Sequence, residues 1–543
     1  MKGLKKNLLI LGAFTAVCGA CFAGGAMIEA SAQTAGDYTF EMYEGASVRL
    51  SDNYGLRFRV TIGADLKDEI TAAGDKVGML ILPYDYVSSM PAGTDYKAEF
   101  ASGVIDLDLT DSLYEAGAYW YGNGVMRNIQ EGNLTRDFVG IAYYGSETTK
   151  EYTYASFTEG KNVRSAAEVA EGVYGNYNHD KDSRNVLKGF LATTYADLDT
   201  TYAGLGTEAS PYLIQAAEDF NYMATKVASS TTNTYASKYF RLENNLTGIT
   251  GKVGKNNCAF AGTFDGNGKE IEIALTNANT SETHIGLFAY NKGTIKNLTI
   301  TGTVTTTNAN VGGVAGVNEG TLLNCTNKAT VTGTFNLGGI VGQSTGATAI
   351  VESCNNYGEV TSTRASASIS NGTGGGYSVG GIVGLNGSNA TILSCKNYGT
   401  VTAVGGGAKS SVKLGVGGIV GASNQGLIKK CINEATIYGV YYFGGIIGYA
   451  TKANITECTN NGDVLARATV GTTTITNSRY VGGIAGYGFG NDAGTLQLTG
   501  NTNTGKISAH LDLAQIYGYL EATSTDHYKI DNNTESGSVV TLS

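Results

Sequence analysis

The chain has 543 residues and a formal net charge of −10, with 77 glycines, only 3 prolines and 8 cysteines. An acidic chain without a basic stripe is a poor candidate for binding nucleic acid or an anionic membrane surface, because both interactions need clustered lysine and arginine. Abundant glycine with few charges favours short strands joined by tight turns, as in an extracellular β protein.

The first 32 residues have the pattern of a secretory signal peptide. Three lysines precede an apolar stretch from Leu8, and residues 30–32 (Ala-Ser-Ala) offer a small-residue cleavage site. A membrane anchor and a lipid on Cys21 are the alternatives, but glycines interrupt the apolar stretch and the residues before Cys21 depart from the lipoprotein pattern. No later segment is apolar enough to span a bilayer, so the mature protein is predicted to have no transmembrane segment. We expect a secreted protein, with any attachment to a cell surface being noncovalent.

Residues 33–200 contain no glycine repeat and are predicted to form one β-rich module. Apolar residues at three- and four-residue steps predict helices at 164–174 and 186–195. The phrases that begin at Glu44, Gly55 and Arg136 resemble an N-terminal module of secreted proteins from anaerobic gut bacteria, and this resemblance implies no activity. The module is predicted to be an antiparallel β-sandwich with one or two helices. Its predicted strands lie at 46–50, 55–62, 77–82, 104–109, 138–144 and 151–157.

Tyr119, Trp120 and Tyr121 are the candidate ligand-binding residues of this module. They include the only tryptophan and lie among glycines, and further tyrosines recur at 84, 86, 143, 144, 152 and 154. Sugars bind by stacking on exposed rings flanked by hydrogen-bonding groups. Along a strand, Trp120 faces opposite to its two neighbours, so the alternative is that one face of this strand belongs to the core.

Residues 201–235 are predicted to form a polar link and an N-terminal helical cap. Ser210-Pro211 precedes a helix that extends to about Val227 and has one apolar side. The end of a solenoid exposes apolar side chains and an unpaired strand edge, so it needs such a cover. At the other end, residues 508–543 lose the repeat and become polar, which predicts a C-terminal cap.

A six-residue glycine phrase recurs between residues 236 and 507. Its copies begin at Val311, Leu337, Val379, Val416, Phe443 and Val481, after a degenerate copy at Ile285. The basal step is 26 or 27 residues, and three steps are lengthened to 42, 37 and 38 residues. Such a period is the signature of a solenoid and predicts a capped, right-handed parallel β-helix of roughly eight coils. The longer steps predict inserted loops near residues 362–377, 402–415 and 465–479.

A second phrase follows each of the first five copies. Its cysteines are Cys325, Cys354, Cys395, Cys431 and Cys458, and its asparagines, two residues later, are Asn327, Asn356, Asn397, Asn433 and Asn460. A small residue and a β-branched residue continue the two-residue steps, so all four positions share one face of a strand. Since stacked coils lie roughly 4.7 to 4.9 Å apart, the asparagines are predicted to form a ladder of hydrogen-bonded amides. An aliphatic residue three positions before each cysteine breaks the period, which predicts a bend or a bulge there.

The cysteines have three interpretations. Metal binding requires clustered ligands, whereas these thiols lie one per coil with no histidine nearby. Disulfides between coils fit the strand spacing, but side chains in register point the same way and would strain the bridge. The preferred interpretation is a row of reduced, buried thiols that act as small apolar side chains.

The run from Phe260 to Gly268, the segment from Gly293 to Leu298 and the two repeated phrases resemble GLUG repeats. Such repeats occur in bacterial surface proteins, including some adhesins and the regions that flank IgA-specific metallopeptidases. The segment from Gly206 to Phe220 resembles the one that commonly introduces these arrays, so the resemblance covers about residues 204–510. It implies the architecture and little about activity. The His-Glu-x-x-His motif is missing, so the peptidase activity is not carried over.

Many parallel β-helices act on polysaccharides, so an enzyme is the alternative function. Such sites need two or more carboxylates on one face, often with a base. The acids of the repeat region occupy varied columns instead, namely Glu319, Glu352, Glu359, Glu434, Glu457 and Asp463. Ordinary turns explain the possible calcium ligands in residues 265–268 and at Asn178, Asp180 and Asp182. No metal, cofactor or catalytic residue is predicted.

The sequence therefore favours a non-catalytic binding protein, either adhesin-like or scaffolding, that is secreted or associated with the cell surface. Its expected partners are a glycan or a host or bacterial surface protein, with no nucleic acid. A polysaccharide lyase or hydrolase and a purely structural spacer are the alternatives.

Overall fold

The computed structural model describes residues 37–51, 54–175, 179–229, 235–277, 281–307, 310–363, 378–387, 389–404, 414–491, 494–522 and 524–543. The predicted signal peptide lies outside these residues, as do Asn178 and most of the first two inserted loops. The chain divides between Leu205 and Gly206 into two compact units.

Two antiparallel sheets form the first unit. Sheet A consists of Phe40–Met42, Ser47–Arg49, Gly55–Gly63, Tyr114–Ala116 and Tyr119–Arg127, and sheet B of Lys76–Pro83, Ile105–Asp108, Phe138–Ser146, Glu151–Tyr154 and Val163–Arg164. A Cβ on Gly124 of sheet A would lie 2.4 Å from Sδ of Met79, and one on Gly140 of sheet B would lie 2.7 Å from Cβ of Phe58. Glycine at these points lets the sheets pack closely. The predicted β-sandwich is confirmed.

The α-helices in the described residues are α1 (Ala64–Ala73), α2 (Tyr96–Glu99), α3 (Ala166–Tyr174), α4 (Lys181–Phe190) and α5 (Ala217–Ala228), with 3-10 turns at Tyr84–Tyr86, Thr110–Ser112, Glu131–Asn133 and Thr525–His527. The sequence did not predict α1 or α2. Helix α3 matches its prediction, whereas α4 begins and ends about five residues earlier than predicted. The carboxylate of Asp180 accepts the amide of Ser183 at 2.8 Å and fixes the start of α4. This possible calcium ligand is therefore a helix cap.

The second unit is a parallel β-helix whose coils pass through four sheets in a fixed order. In one coil, the strands are Leu337–Gly338 in sheet F, Val341–Thr345 in sheet E, Ile350–Glu352 in sheet C, and Asn355–Asn356 and Val360–Ser362 in sheet D. Equivalent residues of consecutive coils pair in parallel, as Val351 does with Leu322 and Ile392. The β-helix predicted from the glycine phrase is confirmed.

The strands of the four sheets have the following bounds. Sheet C contains Tyr212–Ile214, Tyr239–Leu242, Thr263–Asp265, Thr294–Lys296, Thr321–Leu323, Ile350–Glu352, Thr391–Leu393, Leu427–Lys429, Asn454–Thr456, Leu496–Thr499 and Tyr528–Asp531. Sheet D contains Leu246–Ile249, Glu270–Asn277, Thr299–Thr306, Thr326–Asn327, Thr330–Gly333, Asn355–Asn356, Val360–Ser362, Lys396–Asn397, Val401–Thr402, Ile432–Asn433, Ile437–Gly439, Thr459–Asn460, Val464–Ala466, Thr502–Asn503, Ile507–Ala509, Thr534–Glu535 and Val539–Thr541. Sheet E contains Phe288–Asn291, Ala315–Asn318, Val341–Thr345, Val383–Gly387, Val420–Asn424, Ile447–Thr451, Ala485–Gly490 and Tyr517–Ala522. Sheet F contains Val311–Gly312, Leu337–Gly338, Val379–Gly380, Val416–Gly417, Tyr441–Gly444, Arg479–Gly482 and Leu511–Ala514.

The N-terminal end of the β-helix is covered by α5. The chain first forms the strand Tyr212–Ile214, where the sequence predicted helix, because this segment pairs in parallel with Tyr239–Leu242. Helix α5 then buries an apolar side that includes Phe220 and Val227. The Phe220 ring lies 6.2 Å from the Phe264 ring of the third sheet C strand, Thr263–Asp265, centroid to centroid. The helix thus covers the apolar side chains of the first coils.

The C-terminal end differs from the prediction, since the segment 508–543 forms one more coil. Its strands in sheets C to F all pair in parallel with those of the coil before. The glycine phrase persists here as residues 514–518 (Ala-Gln-Ile-Tyr-Gly), in which Ile516 remains buried. The repeat was not visible in the sequence because Ala514 and Gln515 replace the first two glycines of the phrase.

Candidate binding surface

A ladder of asparagine amides runs along the inside of sheet D. Nδ2 of each residue donates to Oδ1 of the next, with distances of 2.8 Å from Asn327 to Asn356, 2.9 Å from Asn356 to Asn397, 2.9 Å from Asn397 to Asn433 and 2.8 Å from Asn433 to Asn460. The second Nδ2 hydrogen is donated to the carbonyl two residues later, such as that of Ala329 at 2.8 Å. All five side chains are fully buried. Each buried amide is therefore satisfied by its neighbours rather than by water.

The glycine phrase is explained by this ladder. A Cβ on Gly339 would lie 2.3 Å from Cγ of Asn356, and one on Gly381 would lie 2.3 Å from Cγ of Asn397. The second glycine of each phrase thus leaves the space that the amide of the same coil occupies. The glycine phrase and the asparagine phrase therefore recur together, because the glycine leaves room for the asparagine side chain.

The ladder cysteines lie at the corner between sheets C and D. Cys325, Cys354, Cys395, Cys431 and Cys458 are free and fully buried. Each thiol donates to backbone carbonyls, as Cys354 Sγ does to Glu352 O at 3.3 Å. Burial raises the pKa of Cys395 and of Cys458 above the usual range of a thiol. The five buried thiols therefore pack as small apolar groups.

The residue before each ladder cysteine has a left-handed backbone, with φ between 52° and 57° for Asn324, Ser353, Ser394, Lys430 and Glu457. A single left-handed residue turns the chain sharply between the strands of sheets C and D. The irregularity predicted before each cysteine is therefore a bend and not a bulge.

The outer face of sheet D carries three exposed tyrosines. Tyr357, Tyr398 and Tyr438 are 52 %, 40 % and 36 % exposed. The rings of Tyr357 and Tyr398 stack with centroids 4.7 Å apart and planes 6° apart. Tyr438 pairs with Thr402 of the preceding coil, and Thr402 pairs with Thr361. These three tyrosines and the hydroxyl groups of Thr361 and Thr402 lie on one surface, here called the sheet D face.

The three inserted segments leave the β-helix at one corner. They join the last sheet D strand of one coil to the sheet F strand of the next, after Ser362, Thr402 and Ala466. Within the third insertion, Thr469–Val470 and Thr473–Thr474 form a small antiparallel hairpin. Its Val470 and Ile475 pack against a cluster of apolar and aromatic side chains formed by Val404, Val440, Tyr441, Tyr442 and Tyr487. The third insertion thus folds back over neighbouring coils.

A second set of tyrosines lies on sheets E and F. Tyr442 stacks on Tyr480 at 4.9 Å, and Tyr449 stacks on Tyr487 at 4.8 Å, with interplanar angles of 16° and 18°. The Arg479 guanidinium lies 4.5 Å from the centre of the Tyr480 ring. Most of this ring area is covered by other rings, so the set stabilises the stack of coils.

The acids of the repeat region do not converge. Glu352 lies on sheet C, Glu359 and Asp463 lie beside sheet D strands, and Glu319 follows a sheet E strand. Glu457 pairs with Lys429 at 3.0 Å, and this lysine lowers the pKa of Glu457. Glu434 accepts a hydrogen bond from Asn461. The Asp265 carboxylate accepts the Asn267 amide at 2.8 Å and shapes the turn at 265–268.

Tyr119, Trp120 and Tyr121 lie at the start of one sheet A strand. The Lys67 ammonium of α1 lies 5.0 Å from the centre of the Trp120 ring, and the Arg59 guanidinium lies 5.5 Å from the centre of the Tyr121 ring. All three residues are half-buried. Two of the three rings therefore already have a cation over one face.

Residues 439–465 match the family model of the GLUG motif. The GLUG motif here spans one complete coil, from the glycine phrase of sheet F through Cys458 and Asn460 to Val464 of sheet D. No curated protein matches the chain. In the described part of the chain, no helix is long and apolar enough to cross a membrane.

Proposed function

We propose that this GLUG-repeat protein is exported and binds a glycan, as an adhesin-like or scaffolding protein without catalytic activity. The observation that carries the proposal is the concentration of exposed tyrosines on the sheet D face. Tyr357, Tyr398 and Tyr438 lie on three consecutive coils, beside the hydroxyl groups of Thr361 and Thr402. Exposed rings flanked by hydrogen-bonding groups are the usual means of holding sugars.

The dispersion of carboxylates favours binding over catalysis. Glycoside hydrolysis needs two carboxyl groups placed roughly 5 to 10 Å apart across one sugar, and one of them must remain protonated as the acid. Glu352 and Glu319 lie on different sheets, and the pKa of Glu457 is lowered by Lys429. Export is supported by the signal-peptide pattern in residues 1–32.

The test combines a glycan array with an assay for released reducing sugar. The mature protein is expected to bind a subset of glycans without cleaving them. Replacing Tyr357, Tyr398 and Tyr438 together by alanine should weaken binding at least about tenfold, since each aromatic contact contributes roughly 0.5–1.5 kcal/mol. The matched control replaces the exposed Tyr38, Tyr43 and Tyr54 of the first unit and should leave binding unchanged. Release of reducing sugar would support the enzyme instead, and the absence of both signals would support a structural spacer.

A further inference from the structure

A crevice of about 410 Å³ opens on sheet B of the first unit. Its walls come from α2 and the loop that follows, from the strand Ile105–Asp108, and from the turn between Phe138–Ser146 and Glu151–Tyr154. The side chains at its surface include two aromatic rings, Phe100 and Tyr152. The volume falls in the range of small-molecule sites, which is roughly 300–1,000 Å³.

Lys97 of α2 lines the crevice, and neighbouring carboxylates balance its positive charge. Its side chain is only 16 % exposed. Its ammonium donates to Tyr143 Oη at 2.8 Å and to Glu147 Oε1 at 3.0 Å, and lies 3.2 Å from Asp106 Oδ2. The rings of Tyr143 and Tyr152 flank it, with centres at 4.3 and 4.8 Å. Lys97 therefore has a structural role, because each of the three hydrogens of its ammonium already has an acceptor and none is left for a ligand.

Two carboxylates at the rim, Glu147 and Asp95, are held ionised. Hydrogen bonds from Lys150 and Lys97 lower the pKa of Glu147 to about 2. A hydrogen bond from Tyr154 lowers the pKa of Asp95, whose carboxylate also accepts the amide of Ala98 at the start of α2. Asp95, Asp106 and Glu147 outnumber Lys97 and Lys150, so the crevice carries excess negative charge at neutral pH.

We propose that this crevice binds a single sugar residue that carries a free amine. The Phe100 and Tyr152 rings offer apolar contact to a pyranose. The half-exposed Glu147 and Asp106 carboxylates accept hydrogen bonds from hydroxyl groups and from the protonated amine. The same carboxylates disfavour a sugar acid. This site lies in the first unit and is independent of the glycan proposed for the sheet D face.

Calorimetric titration of the mature protein with glucosamine, glucose and glucuronate at pH 6 tests the proposal. Glucosamine should bind about fivefold more tightly than glucose, as expected for one partly exposed charge pair, and glucuronate should not bind. Glu147→Gln should remove the preference. Lys150→Ala should strengthen it, because this ammonium competes for Glu147.

Glu151→Gln is the matched control, because Glu151 is exposed on the adjoining strand and does not line the crevice. It should leave all three affinities unchanged. Equal binding of glucose and glucosamine, or Glu147 and Lys150 variants that shift affinity in the same direction, would overturn the proposal, as would no heat signal with any of the three sugars. Thermal melts of each variant separate a lost site from a lost fold. The sheet D variants play no part in this test, so the two proposals fail separately.

Discussion

The side-chain amide of Asn356 donates to Oδ1 of Asn397 at 2.9 Å, although 41 positions separate the two residues in the sequence. The intervening insertion changes neither the register nor the hydrogen bond. The ladder therefore fixes the alignment of consecutive coils, while the corner between sheets D and F accepts additional chain. Different positions of the same repeat therefore stabilise the stack of coils and accept insertions.

Removing one member of the ladder should be costly. Asn397→Ala leaves one amide hydrogen of Asn356 buried without a partner, which costs roughly 1–3 kcal/mol, and leaves Asn433 Oδ1 with only the Ala435 amide at 3.4 Å. We expect the free energy of unfolding to fall by about 2–4 kcal/mol in urea titrations. Asn461→Ala is the control, because Asn461 is exposed, and it should change the value by less than about 0.5 kcal/mol. Similar losses in the two variants would contradict the ladder's structural role.

The second glycine of the phrase should tolerate no side chain. A Cβ on Gly381 would lie 2.2 Å from the carbonyl oxygen of Gly418, so Gly381→Ala must move the backbone of the next coil. We expect a loss of roughly 1–3 kcal/mol in unfolding free energy. At Gly387, in the same coil, a Cβ would lie 3.3 Å from the nearest atom, a side-chain oxygen of Thr345. Gly387→Ala should be nearly neutral, and the reverse order would refute the packing argument.

The β-helix was predictable because its signal repeats. Each coil must place a residue without a Cβ opposite a buried amide, so glycine and asparagine recur at fixed steps, as at Gly339 and Asn356. The position of the exposed tyrosines was also encoded, since Tyr357 and Tyr398 directly follow ladder asparagines and must face outward. The shared corner of the three insertions follows from their place between the β-branched position and the next glycine phrase. Both features are therefore encoded in the sequence.

Other features could not be read from the sequence. The last coil keeps its shape by pairing with the coil before it, even though Ala514 and Gln515 have replaced the glycines. The crevice of the first unit is assembled from segments about 50 residues apart, such as Lys97 and Glu147, and depends on strand order that short runs do not specify. The helices α1 and α2 are short and weakly periodic, so their contacts with the sheets, rather than the local sequence, determine that they form.

The ion pairs of Glu147 should make stability depend on pH in a defined direction. The pKa of this carboxyl is lowered from 4.5 to about 2 in the folded protein, so its contribution is complete above pH 4.5 and is lost as the pH falls towards 2. Because the side chain is 41 % exposed, water screens the pair and the contribution should stay below about 1 kcal/mol. Urea titrations should find Glu147→Gln less stable than the parent at pH 7 and equally stable near pH 2. A difference that grows on acidification would contradict this sign.

The ladder cysteines should resist modification in the folded protein. Cys325, Cys354, Cys395, Cys431 and Cys458 are fully buried and free, so iodoacetamide cannot reach their sulfur atoms in the folded protein. Mass spectrometry should find these residues unmodified under native conditions and alkylated after unfolding in urea without a reducing agent. Resistance that persists in urea and disappears with a reductant would reveal disulfides between coils. Rapid native alkylation would place the thiols at the surface and contradict the inward-facing column.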